Sequence, residues 1–198
     1  LVEMLFREQW GPMDGLAAIV LAPVRELAQQ IFGVYRLIDG KRSYAALITG
    51  GKDEKAEAQA LRSMNVLICT PGRLLHHLDT APDFDPTPLR MLVLDEADRM
   101  LDMGFRDTLA AILEHLPKQR QTLLFSATQT RSVKDLVRLS LHHPEFVAVD
   151  ESAEHPTPAS LRQHYILLDD GEKLDVLFSF LKTHPQAKII VFFATSKE

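Results

Sequence analysis

The sequence predicts an α/β fold with a largely parallel sheet. Three observations carry this: short apolar runs recur along the chain, helix-like stretches separate them, and a polar motif closes each run. A strand buried on both faces of a parallel sheet reads as a continuous apolar run. Strands alternating with helical patterns indicate βαβ units. The first run, Leu16 to Leu21, is followed by Pro23-Val24-Arg25-Glu26-Leu27-Ala28. Tyr44 to Thr49 leads into Gly50-Gly51, and Asn65 to Cys69 into Thr70-Pro71-Gly72-Arg73. Met91 to Leu94 ends in Asp95-Glu96-Ala97-Asp98, and Gln121 to Phe125 in Ser126-Ala127-Thr128. Helices are expected over Val2 to Gln9, Glu26 to Ile38, Asp53 to Arg62, Gly72 to Leu78, Asp107 to Leu116 and Ser132 to Leu141. The last opens with Ser132 and Asp135 at capping-box spacing. In a parallel sheet all five motifs then fall on one edge.

The acidic motif has the most direct chemistry. Ligands of open α/β sheets bind beyond the carboxyl ends of the strands. An Asp there suits Mg²⁺, which takes oxygen ligands and keeps several of its waters. A Glu beside it can orient or deprotonate an attacking water. Taken alone, the same residues also fit an acid-rich helix start, which the helix dipole favours. Ser126-Ala127-Thr128 alone fits a turn or helix cap.

Together the five motifs resemble those of DEAD-box ATP-dependent RNA helicases of superfamily 2, in family order and each after a strand. The resemblance implies a first RecA-like domain over residues 1–149, a linker over 150–161 and the beginning of a second RecA-like domain over 162–198. It implies ATP and Mg²⁺ as cofactors. Asp95 would hold the Mg²⁺, through water, and Glu96 would activate the hydrolytic water. Asp98 would contact Ser126 or Thr128 and pass the nucleotide state to the RNA side.

Pro23, Arg25, Gly50, Gly51, Thr70, Pro71, Gly72 and Arg73 resemble the RNA-gripping motifs. Glycines let the backbone approach a strand closely, and helix N-termini offer free N–H groups to phosphate. None of these groups reads base edges, so binding is expected to ignore sequence. Arg25 could equally pair with an acid such as Glu26, and Gly50-Gly51 could be an ordinary turn. Val24 departs from the family's usual Thr and removes one hydroxyl from this face. The stretches Leu123 to Thr130 and Gly50-Gly51-Lys52-Asp53 resemble the nucleolar branch. That implies ribosomal RNA precursors and ribosome-assembly proteins as partners, and a nuclear, nucleolar location.

Composition is that of a globular protein of the cytosol or nucleus: 198 residues, 46% hydrophobic and 25% charged. The single cysteine, Cys69, excludes a disulfide framework or a cysteine-based zinc site. No run approaches the ~18 apolar residues of a membrane helix. The net charge of −5 argues against a general RNA binder. RNA is therefore an expectation from the motifs and not from the composition. His76-His77 and His142-His143 are expected on helix surfaces. Asp150 to Pro158 is polar and Pro-containing, as linkers are. Beyond it, strands are expected over His164 to Leu168 and Lys188 to Phe193, and a helix over Glu172 to Lys182. Val191 to Ser196 resembles the first motif of the second domain.

The phosphate-binding pattern G-x-x-x-x-G-K-[ST] does not occur in these 198 residues. The resemblance places that loop shortly upstream and the arginines that complete the ATP site downstream. These residues alone are thus expected to be inactive, while the parent protein is an ATP hydrolase. Two other readings stay open: a non-enzymatic fragment that binds RNA or protein, and another P-loop ATPase such as a DNA helicase.

Overall fold

The computed structural model describes residues 1–40, 44–51, 54–61, 63–148 and 160–193. The chain divides into two units, Leu1–Phe146 and Val147–Glu198.

The first unit is built on a five-stranded parallel sheet in the order β2-β3-β1-β4-β5. The strands are β1 (Ala18–Leu21), β2 (Ala45–Ile48), β3 (Val66–Cys69), β4 (Met91–Leu94) and β5 (Gln121–Leu124). All five expected strands are present, each within its expected run. The helices are α1 (Val2–Arg7), α2 (Arg25–Asp39), α3 (Glu54–Leu61), α4 (Pro71–Thr80), α5 (Ala97–Asp102), α6 (Arg106–His115) and α7 (Arg131–Ser140).

Side chains alternate between two cores because a strand presents successive residues to opposite faces. Ile19, Leu21, Leu67, Cys69, Leu92 and Leu94 face one core, with Leu74 of α4, Met100 of α5, Leu109 and Ile112 of α6 and Leu136 of α7. Ala18, Val20, Val66, Ile68 and Met91 face the other, with Leu5 of α1 and Ala28 and Tyr35 of α2. The sheet is therefore sandwiched between helical layers. Burial accounts for the near absence of polar residues in the central strands.

The register decides where the site lies. Leu21 is level with Cys69 and Leu94, Ile48 with Cys69, and Leu94 with Leu124. All five strands end on one line, and each motif leaves the sheet at that line.

Local chemistry shapes the helix ends. α2 stops at Gly40, whose φ of 62° is the left-handed conformation glycine adopts freely. α7 corrects one expectation. Its N-cap is Thr130, whose hydroxyl accepts from the Val133 amide at 3.3 Å. Ser132 already lies inside the helix, so the box expected from Ser132 and Asp135 does not form. Helix α5 was not anticipated; it is too short to show a period. His77 is a second correction: it is buried, only 1% exposed, on the inner face of α4. His142 and His143 are exposed as expected, but they lie in a bend past the end of α7 and not on a helix.

In the second unit, α8 (Lys173–Thr183) follows a 3-10 turn at Asp170–Glu172. The expected strands over residues 164–168 and 188–193 are not strands: neither finds a ladder partner among the described residues. Tyr165, Leu167, Ile190 and Phe192 are exposed. Residues 150–159 of the expected linker, and 194–196 of the Val191 to Ser196 motif, lie outside the described residues.

Candidate functional site

The strand order sorts the five motifs into two contiguous blocks. Motifs after β2, β3 and β1 carry glycines, helix starts and arginines. Motifs after β4 and β5 carry acids and hydroxyls. The border falls between β1 and β4. It is also where the connections switch direction, and such points form ligand crevices in open α/β sheets.

In the acidic block, Asp95 is held by two backbone bonds. Its amide donates to the Leu21 carbonyl at 2.9 Å. Its Oδ1 accepts from the Glu96 amide at 3.0 Å. Glu96 then adopts a left-handed backbone, φ 47° and ψ 54°, before α5 begins. Such a conformation costs a non-glycine residue ~1–3 kcal/mol and persists where surrounding structure enforces it. Here the enforcing contact is visible: the next amide, of Ala97, donates to the Phe125 carbonyl at 2.9 Å. Phe125 in turn donates from its own amide to the Leu94 carbonyl at 2.8 Å. The chain must therefore turn sharply at Glu96, whose carboxylate stays partly exposed. Arg99 lies 3.7 Å from it, one helical turn on.

Asp98 meets Thr128 as expected: the Thr128 hydroxyl donates to Asp98 Oδ2 at 3.0 Å. The Ser126 hydroxyl donates to the Thr128 carbonyl at 2.8 Å, which closes the turn after β5. Desolvation acts to raise the Asp98 carboxyl. Hydrogen bonds from Thr128, the Arg99 backbone and Ser126 together outweigh it and hold the carboxyl below its ordinary value.

The donor set fits a hard cation. Asp95 and Glu96 offer carboxylate oxygens side by side at a strand end. No group of three or more metal-ligating side chains converges among the described residues. Mg²⁺ takes such oxygen ligands, one or two carboxylates together with waters and a substrate phosphate.

In the other block, Arg25 is the first residue of α2 and is exposed. No hydrogen bond or ion pair engages it among the described residues, and the pairing with Glu26 considered above is not made. Its guanidinium lies over the Gly50-Gly51 turn. A Cβ on Gly51 would sit 2.8 Å from Arg25 Nη1, and one on Gly50 3.0 Å from Nη2. Gly51 also has φ +93°, the left-handed region that favours glycine, whereas the Arg25 side chain could shift to admit a Cβ. The two motifs thus form one feature: an uncommitted cation laid on a bare backbone. Pro23 is buried and shapes the turn before it. Val24 is the N-cap of α2 and supplies no side-chain bond.

Thr70 is the N-cap of α4, with Pro71 at the first helical position. Its hydroxyl makes no cap bond. Gly72 is exposed in the first turn. Arg73 points elsewhere: its Nε donates to Glu57 Oε2 of α3 at 2.6 Å, and both side chains are largely buried. His77 Nε2 lies 3.1 Å from the same oxygen. Sequence reasoning missed Glu57 and misplaced His77. The usable signal was the Arg73–His77 spacing of four, which puts both on one helical face.

A family model described as DEAD/DEAH box helicase matches residues 2–136. The human protein named probable ATP-dependent RNA helicase DDX10 is 55% identical over the whole chain, which covers 23% of its length. The ATP-dependent RNA helicase DBP4 of Coccidioides immitis is 54% identical over the whole chain, which covers 25% of its length. The chain thus spans about a quarter of the length of these curated relatives. A crystal structure of a DEAD box protein from Methanococcus jannaschii superposes with a TM-score of 0.68 at 31% identity, covering 87% of this chain and 46% of that one.

Proposed function

The chain belongs to the DEAD/DEAH box helicase family, and on that premise we propose that it forms part of an ATP-dependent RNA helicase. Asp95 would hold Mg²⁺, which would supply charge neutralisation for a transferring phosphoryl group. Glu96 orients the attacking water and accepts its proton. Asp98 and Thr128 tie the ends of β4 and β5 together, so the acidic turn and the hydroxyl turn shift as one. Arg25 meets phosphate over Gly50-Gly51, and the first turn of α4 offers it the Gly72 N–H beside the Thr70 hydroxyl. Residues 1–149 are the first RecA-like domain in this reading, and residues 162–198 begin a second.

The observation that carries the proposal is the level register of the five strands. It sets an acidic, metal-suited turn and an uncommitted arginine on one line, on either side of the switch point. Phosphoryl transfer needs chiefly positioning and electrostatic stabilisation, and this edge supplies positions. Its RNA half offers backbone-type contacts only, which supports binding without regard to sequence. The resemblance of Leu123 to Thr130 to the nucleolar branch favours ribosomal RNA precursors as substrate, assembly proteins as partners and the nucleolus as the place of work.

The test is phosphate release by the full-length protein with MgATP, with and without RNA or DNA of matched length. RNA-stimulated release is expected. Stimulation by DNA alone supports the DNA-helicase reading. RNA binding with no hydrolysis under any condition supports the non-enzymatic one.

A further inference from the structure

Glu57, Arg73 and His77 form a buried cluster between α3 and α4, directly under the first turn of α4. The Glu57 side chain is 7% exposed, that of Arg73 16% and that of His77 2%. One carboxylate oxygen, Glu57 Oε2, takes both contacts, at 2.6 Å from Arg73 Nε and 3.1 Å from His77 Nε2. Glu57 Oε1 and Arg73 Nη2 are buried with no hydrogen-bond partner among the described residues. Burial, and after it the charge of Glu57, push the thiol of neighbouring Cys69 upward.

Three physical points bear on what the cluster does. A cation in the first turn of a helix opposes the helix dipole, whereas an anion there is favourable. Glu57 reaches across from α3 and supplies that anion. Arg73 and His77, four residues apart, grip it from one face of α4. The charge of Arg73 is thereby matched inside the protein, which leaves a nearly neutral pair to face any phosphate. Arg25, by contrast, is exposed and has no partner among the described residues.

We infer that Arg73 is a positioning residue and not a phosphate ligand: with Glu57 and His77 it locks α4 to α3, so that the Gly72 N–H and the Thr70 hydroxyl face the RNA backbone. The helix start makes the contact, and the cluster sets its height and angle. The cluster also joins the two RNA-side loops mechanically, because α3 follows Gly50-Gly51 and α4 follows Thr70. This rests on the RNA reading of the edge.

The experiment measures affinity of the full-length protein for two unrelated single-stranded RNAs across a salt series. Each lost phosphate contact lowers the salt slope by ~0.7. Arg25→Ala is expected to show that drop. The paired neutral variant Glu57→Gln/Arg73→Gln keeps hydrogen-bonding groups and removes both charges, and it is expected to keep the wild-type slope. Arg73→Lys keeps the charge but loses the planar fork. It is expected to weaken binding several-fold at unchanged slope. Glu57→Gln, which strands the arginine, is expected to weaken binding likewise. A slope lowered by ~0.7 in the paired variant, or tighter binding by Glu57→Gln, would overturn the inference. Should Glu57→Gln fail to fold, the paired variant and Arg73→Lys still decide. Wild-type protein without salt-dependent RNA binding would sink the RNA reading itself, a separate result.

Discussion

Thr128 and Asp98, thirty positions apart in sequence, are joined by a 3.0 Å hydrogen bond from hydroxyl to carboxylate. Nothing local requires it. It exists because β4 and β5 end level and turn toward each other. With the Arg99 backbone and Ser126 bonds it outweighs desolvation and holds the Asp98 carboxyl below its ordinary value.

Thr128→Val removes the donor and keeps the shape. The Asp98 carboxyl should then titrate closer to an ordinary aspartate. The sign of the pH effect follows from the lowered value. Asp98 adds stability above the unfolded-state pKa of ~3.9, and loses it as pH falls through the lower folded-state value. The variant should lose less stability than wild type across that acid window. Carboxyl chemical shifts followed from neutral pH into acid check this. An unchanged Asp98 titration would assign the shift to the backbone bonds instead.

Glu96→Gln keeps size and one hydrogen-bonding oxygen but removes the base. In the full-length protein, MgATP binding should persist while hydrolysis slows by ~10²–10⁴. Nucleotide affinity and single-turnover hydrolysis separate the two effects. Near-normal turnover would rule out the role given to Glu96.

Gly51→Ala meets two penalties. The φ of +93° disfavours any side chain, and the new methyl would press on Arg25 Nη1. Stability should fall by ~1–2 kcal/mol, and RNA affinity should fall as the guanidinium is displaced. Combined with Arg25→Ala, the affinity losses should not add, because the two residues touch. Additive losses would show that they bind RNA independently.

Val24→Thr places a hydroxyl at the N-cap of α2, where φ −133° and ψ 157° suit a capping residue. A cap bond is worth ~0.5–2 kcal/mol. Urea unfolding should show a gain in that range. An unchanged midpoint would mean the hydroxyl does not reach the free amides of the first turn.

The strands and the edge were legible in the sequence because burial on both faces writes itself as apolar runs, and parallel connections leave little choice of edge. The Asp98–Thr128 contact was reachable through the motif resemblance. The cap of α7 was not, because Thr130 and Ser132 are both competent and only the path of the chain from β5 selects between them. Glu57 was hidden among the charged residues of a polar helix. Its burial depends on where α4 packs, which no local pattern states. His77 was misread because adjacent residues of a helix point about 100° apart, so His76 and His77 share a sequence context but not an environment. Residues 164–168 and 188–193 have strand-like composition, but a strand is a property of a pair.

The left-handed turn at Glu96 sets endurance against activity at a single Cα. Glu96→Gly would relieve the strain and remove the carboxylate in one step. A screen ranking variants by heat tolerance would place that variant above wild type, although the proposed role of Glu96 has it lose hydrolysis. Stabilising campaigns on this scaffold should therefore hold position 96 fixed and look elsewhere, Val24 first.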